Sequence, residues 1–212
     1  GKPLLLTVTG MGRQRAEASV EAVLAHPQIT AVLSIGFSGA LERQLKVGDL
    51  VLASELMGIR GSNGDEIEPT IYRADQKLLR TAEEALRTTS LRVVSGPTVT
   101  APSIIATPAG KEGMGRQTGA VAVDMESYWV ARAISSRGLP FLAIRAISDT
   151  QGESLPPFHH ILDEEGNPRV CRLAAHLLRK PGSLVALGRL ARNARQARRA
   201  LTTGVGCTVA AL

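Results

Sequence analysis

The sequence predicts an α/β fold built on a central mixed, largely parallel twisted sheet, and three observations carry that expectation. Apolar runs of strand length alternate with stretches of helical periodicity, the pattern that stacks helices on a layered sheet. Glycine-rich or polar segments punctuate the alternation. Two of the runs, within "VAVDMESY" (121–128) and "FLAIRAISDT" (141–150), are largely apolar, as strands covered on both faces are, yet the first ends in Asp124 and Glu126 and the second delivers Arg145, Ser148 and Asp149. In order, "LLLTV" (4–8) reads as a first strand that turns at "GMG" into a helix from Arg13 to His26, and "TAVLSI" (30–35) as a strand ending in the turn "GFSGA". "DLVLASEL" (49–56) follows, then a polar loop, "GIRGSNGDEIEP", then a helix from Asp75 to Arg87 with Leu78, Leu79, Ala82 and Leu86 at helical spacing. "LRVVSGPTVTA" (91–101) is a long strand. "GAVAVD" and "PFLAIRAIS" flank a helix from Glu126 to Arg137 that Gly138 and Pro140 terminate.

With 212 residues the chain fits one large domain, able to bury a substantial core and a few polar groups within it. Cys171 and Cys207 show no CxxC spacing, which argues against a disulfide framework or a zinc site and for a reducing, cytoplasmic setting. Neither an apolar run of spanning length nor a charged-then-apolar leader is present. The net charge of +6 is uneven: nine of the 25 Lys and Arg follow Glu165, after which there is no acid. From Ser183 to Leu201 the residues Leu187, Leu190, Ala194, Ala197 and Leu201 share one helical face, while Arg189, Arg192, Arg195 and Arg199 share the other, with Arg198 at the border. Such a helix fits peripheral contact with an anionic membrane surface or docking on the protein body with its basic face in solvent. Nucleic acid is excluded as a partner, because Tyr72, Tyr128 and Trp129 are not interleaved with the arginines.

In open α/β sheets ligands collect at the C-terminal ends of strands. "GFSGA", "DMES" and "RAISD" lie at three such ends and make the candidate site. "GMGR" does not complete a dinucleotide fingerprint, since Arg15 stands where the third glycine is needed. Each acid alone reads as a helix cap or an arginine partner. His159 and His160, with Asp163 and Glu164, read as a loop or lid with Phe158 and Ile161 rather than a metal site, and no metal is assigned.

"SIGFSGALERQLKVGDLVLASE", "VAVDMES" and "LPFLAIRAISD", in this order and spacing, resemble the purine nucleoside phosphorylase and methylthioadenosine/S-adenosylhomocysteine nucleosidase superfamily, from Thr7 to Asp149. The tail from "LPPFHHILDEEG" onward looks like that of the hopanoid-associated branch, whose members remove adenine from adenosylhopane. The resemblance implies the three-layer fold of these enzymes, with a catalytic domain over 1–180 and a basic extension over 181–212. It implies cleavage of the N-glycosidic bond of an adenine nucleoside. Asp149 is then the general acid at the purine N7, oriented by Ser148, and Glu126 accepts hydrogen bonds from the ribose hydroxyls. Met125 packs on the sugar, Ser103 and Ile104 border the base, and Arg145 with Gly36, Phe37, Ser38 and Gly39 surrounds the attacking group.

Three departures shape the expectation. Hexameric phosphorylases place a phosphate-binding arginine where Ser34 stands, which favours water over inorganic phosphate as co-substrate, with no other cofactor. Phe37 replaces a small polar residue, and Ser103 replaces an aromatic that stacks on the base. Nucleosidases take an activating glutamate from an N-terminal strand and helix ahead of the segment matched by Leu4–Gly12, so either the first strand is truncated here or water is activated otherwise, and no base is assigned. The superfamily also implies a homodimer or higher oligomer. The rival class is a catalytically silent nucleoside-binding or membrane-associated scaffold.

Overall fold

The computed structural model describes residues 3–26, 28–60, 66–155 and 183–212, with the side chains of 183–187 excepted. The elements are α1 (Arg13–Leu24), β1 (Val32–Ala40), β2 (Leu50–Arg60), β3 (Glu66–Ile67), β4 (Tyr72–Arg73), α2 (Gln76–Arg87), β5 (Val93–Thr100), α3 (Pro108–Thr118), β6 (Ala122–Asp124), α4 (Ser127–Ser135), β7 (Phe141–Asp149) and α5 (Ser183–Ala211). The sheet is mixed. The long ladders β1–β7 and β2–β5 are parallel, as is β5–β6, whereas β6 meets β1 and β2 meets β7 antiparallel. Because β2 pairs with both β5 and β7, the strands β2, β5, β6, β1 and β7 form a ring, with β3 and β4 hung on β2.

Strand alternation sorts the β7 side chains between two helical layers. Leu142, Ile144 and Ala146 join Leu50 and Leu52 under α2 and α5, while Phe141 and Ala143 join Ala53 and Leu56 under α1 and α4. Helix α2 is seated by the predicted stripe: Leu78, Leu79, Ala82 and Leu86 are all buried. Its N-terminus is capped by Asp75, whose Oδ1 accepts from the amides of Lys77 and Leu78 at 3.0 and 2.9 Å.

Several expectations are corrected. Residues 3–10 form no regular element, and Leu4, Leu6 and Val8 are 74, 81 and 88% exposed. Apolar composition suggested a strand at 4–8, but a strand exists only through its ladder, and none forms here. "GFSGA" is not a turn: β1 continues straight through it to Ala40, and its glycines serve close approach instead, as described below. Strand β2 runs on to Arg60, into the predicted polar loop, which also contributes β3, while β4 follows the loop. Helix α3 was not anticipated, because Gly110, Gly113 and Gly115 dilute its periodicity; Thr107 caps it, Pro108 opens it and Gly119, at φ +68°, closes it.

Helix α5 docks on the body. Its buried stripe is Asn193, Ala197, Ala200, Gly204 and Thr208, rotated from the predicted apolar face and made of small or polar residues. Ala197 and Ala200 belong to the same core as α2 and β7. The arginines 192, 195, 198 and 199 point outward. No described helix is long and apolar enough to cross a membrane. The histidine-rich loop at 158–164 and Cys171 lie outside the described residues.

The capping geometry of α2 gives a direct test. Asp75→Ala should cost about 1 kcal/mol of stability, read as a lower urea midpoint at unchanged slope.

Candidate active site

The question posed by "VAVDMES" is answered by two carboxylates with different surroundings. Asp124 ends β6 and is buried, and it collects five donors. Its Oδ2 accepts from Arg145 Nε at 2.6 Å and from the Ser127 hydroxyl, and its Oδ1 accepts from Thr100 Oγ1 at 2.6 Å and from the amides of Glu126 and Ser127 at 3.2 Å each. Burial pushes this carboxyl up, but the adjacent Arg145 charge and the Ser127 and Thr100 hydroxyls outweigh it and leave it below the ordinary aspartate value. Asp124 therefore organises the start of α4 and fixes the residue two positions on.

Glu126 is the acid that faces open space. Its Oε1 accepts from the amide of Gly12 at 2.9 Å, at the N-terminus of α1, where the free backbone N–H groups favour an anion. Packing of Ala16 and Val20 against Tyr128, Trp129 and Val130 brings α1 to this position. Burial first, then the neighbouring Asp124 charge, push the Glu126 carboxyl up; the Gly12 amide and Arg145 pull against them without prevailing.

At the end of β7 the register against β1 slips: Ser38 pairs with Ile147 but Gly39 with Asp149, leaving Ser148 unmatched. Regular strands send successive side chains to opposite faces, and an irregularity of this kind re-aims them. Here it lets both Ser148 and Asp149 line one cavity. Ser148 Oγ donates to Asp149 Oδ1 at 2.8 Å and lies 3.3 Å from the Ser38 carbonyl oxygen. Asp149 Oδ2 meets Lys111 Nζ of α3 at 2.5 Å. The glycines of β1 are explained by the same crowding. A Cβ on Gly36 would stand 3.0 Å from Arg145 Nη1, and one on Gly39 would stand 2.9 Å from Asp149 Oδ2.

All eleven residues singled out in the sequence line this one cavity, of about 1660 Å³. Glu126 and Asp149 share it with Met125 and Ser148; Ser103, Ile104 and Phe37 face it from exposed positions; and Gly36, Ser38 and Gly39 form a wall. The Ser38 hydroxyl is buried and has no partner among the described residues, so a donor and acceptor stands ready at that wall. Arg145, expected beside the attacking group, lines the cavity with its charge already paired. It is 2% exposed, with Nε committed to Asp124 and Nη2 donating to Ser34 Oγ at 2.9 Å. The cavity extends into apolar territory beside Ile35, Leu78, Leu190, Val205 and Val209. Among the described residues no cluster of His, Cys, Asp or Glu is arranged to hold a metal ion.

The sequence profile of the Phosphorylase superfamily matches residues 1–180. The chain belongs to that superfamily. Phosphorylase-superfamily membership makes it a glycosyl-bond-cleaving enzyme. It is similar to a 5'-methylthioadenosine/S-adenosylhomocysteine nucleosidase of Bacillus cytotoxicus, at 29% identity over 175 residues that cover 77% of this chain and 76% of the relative. In fold it resembles the nucleosidase of Neisseria meningitidis solved with methylthio-immucillin-A, with a TM-score of 0.72, 20% identity and coverage of 97% of this chain and 80% of that one. Futalosine hydrolase of Helicobacter pylori gives a TM-score of 0.71 at 19% identity, over 96% of this chain and 78% of that one.

Lys111, Thr100, Ser34 and Gly12 are the site-forming residues that sequence reasoning missed in these roles. Lys111 sits in a stretch diluted by Gly110, Gly113 and Gly115. Only its spacing of three from Met114 hinted at an inward face.

The Arg145–Asp124 pair has a measurable signature. Asp124→Asn leaves a buried guanidinium without its counter-charge and should cost about 3–5 kcal/mol in denaturant unfolding. The Asp124 carboxyl is held below its ordinary value of 3.8, so its contribution is complete above that pH and is lost as pH falls through the lower folded-state value. Wild-type protein should show that acid decline, and Asp124→Asn should lack this component of it.

Proposed function

We propose that this enzyme hydrolyses the N-glycosidic bond of an adenine nucleoside bearing a hydrophobic 5' substituent, and releases adenine. The observation that carries the reading is the convergence of Glu126 and Asp149 on one cavity, with Met125 beside the first and Ser148 hydrogen-bonded to the second. Departure of a purine builds positive charge on the ribose and negative charge on the base, and the two acids answer the two needs. Glu126, as carboxylate, accepts from the ribose 2' and 3' hydroxyls and draws tighter as the ring becomes cationic. Asp149 is placed to pass a proton to N7, its orientation set through Ser148. Met125 offers a soft apolar surface to the sugar, while Ile104, Ser103 and Phe37 border the base.

Water is favoured over phosphate as the nucleophile on charge grounds. A phosphate dianion calls for a charge-assisted anchor beside the β1 glycines, and the guanidinium there, Arg145, is already engaged by Asp124 and Ser34. The likeness to the Bacillus cytotoxicus nucleosidase supports hydrolysis and an adenine nucleoside. Within that class, the apolar extension past Ile35 and Leu78 to Val205 and Val209 favours a lipid-like 5' group such as that of adenosylhopane over the smaller groups of methylthioadenosine or S-adenosylhomocysteine. A substrate held in a bilayer fits a protein with an outward arginine face on α5. Since the opposite face of that helix is buried against the body, this contact with anionic lipid rests on charge alone.

Adenine release from adenosylhopane, methylthioadenosine and S-adenosylhomocysteine, each with and without phosphate, tests the reading. Release should be independent of phosphate, and Asp149→Asn should lower kcat by about 10²–10⁴-fold while the ligand still binds. Folded protein that cleaves none of the three is not the enzyme proposed. Because Glu126 must be ionised and its carboxyl is pushed above 4.5, kcat/KM should fall on acidification starting above that pH. Glu126→Gln should leave low activity without that dependence.

A further inference from the structure

We propose that Lys111 is a positioning residue for the reaction, holding the Asp149 carboxyl and the chain segment after it in the orientation in which the carboxyl meets the purine. The inference rests on the assignment of Asp149 as general acid. Lys111 is fully buried, a rare place for a lysine, so its ammonium has to find partners inside the protein. It finds three. Nζ donates to Asp149 Oδ2 at 2.5 Å, to the Thr150 carbonyl at 2.8 Å and to the Glu153 carbonyl at 3.0 Å, which uses every N–H the group has.

The three acceptors are consecutive in function. Asp149 is the last residue of β7, and Thr150 to Glu153 form the turn that leaves it, so one cation ties the reacting carboxyl to the backbone that follows. The same turn is gripped from its far side by α5, where Arg189 Nε lies 2.7 Å from Glu153 Oε1 and Asn193 Nδ2 donates to the Glu153 carboxylate. The carboxyl has little freedom left. Ser148 occupies Oδ1, Lys111 occupies Oδ2, and the Cα of Gly39 approaches so closely that no Cβ fits. Without Lys111 the Oδ2 side would be an unfilled space beside a buried acid, and the carboxyl would turn within it. Misplacement of a reacting group by about 1 Å costs on the order of 100-fold in rate.

Wild type, Lys111→Met, Lys111→Ala and Asp149→Asn, all as the full chain, are compared in adenine release from the three nucleosides and in amide hydrogen exchange over residues 149–155. Lys111→Met should lose on the order of 100-fold in kcat, with KM changed by less than about threefold, and should exchange faster in that segment. Added ethylammonium should restore turnover to Lys111→Ala but not to Asp149→Asn. A folded Lys111→Met with kcat within about threefold of wild type overturns the inference even where Asp149→Asn is inactive, and so does a loss confined to KM. Should Lys111→Met fail to fold, Lys111→Ala refolded with ethylammonium decides: turnover recovered supports the role, and folded protein without recovery overturns it. If wild type releases no adenine, the general-acid assignment fails by itself, and unchanged exchange in a folded lysine variant then overturns the positioning role separately.

Discussion

A guanidinium placed in the middle of a sheet face has to be neutralised where it stands, and that requirement organises this protein. Arg145 projects from β7 toward the end of β6, where Asp124 meets it. Desolvating the two charges is unfavourable unless every remaining lone pair is occupied. Thr100 from the end of β5 and Ser127 from the start of α4 supply those contacts, so three strands and a helix are registered on one carboxylate. Glu126 inherits its position from that arrangement, since its own amide is one of the donors. Gly36 is required because the guanidinium lies against the β1 backbone.

Each of the two acids assigned to chemistry is kept apart from this anchor by one residue of geometry. Met125 separates Asp124 from Glu126, and the register slip at Ser38 and Gly39 separates the paired part of β7 from Asp149. Glu126 is steadied by the amide at the start of α1 and Asp149 by the ammonium of Lys111. A neutral donor holds one and a cation holds the other, so neighbouring carboxylates of similar intrinsic acidity are given different electrostatic surroundings.

Much of this was legible in the sequence. The alternation of apolar runs with helical periodicity gave α1, α2, α4 and the long strands to within a few residues, and the two strand ends that stand out by their acids, at Glu126 and Asp149, both line the cavity. What was hidden depended on tertiary contact. Residues 4–8 have strand composition, but composition does not supply a ladder. The glycines of "GFSGA" look like a turn, and only the side chains of Arg145 and Asp149 reveal that they are spacers within a strand. Beyond its spacing from Met114, Lys111 carries no local sign that it will be buried, because its three acceptors come from the end of β7 and the turn after it, some forty residues later. The inner face of α5 defeated a hydrophobicity argument, since Asn193, Gly204 and Thr208 are seated there by fit and hydrogen bonding rather than by apolarity.

The crowding along β1 leaves the strand few adjustable positions. Gly36 and Gly39 are fixed by the groups they abut, and Ser38 offers its carbonyl to Ser148. Phe37 and, two residues before it, Ile35 present side chains to the cavity with room around them. Ligand preference along this strand can therefore diverge by exchanging Phe37 or Ile35 for something smaller or more polar, while the scaffold that performs the chemistry stays untouched.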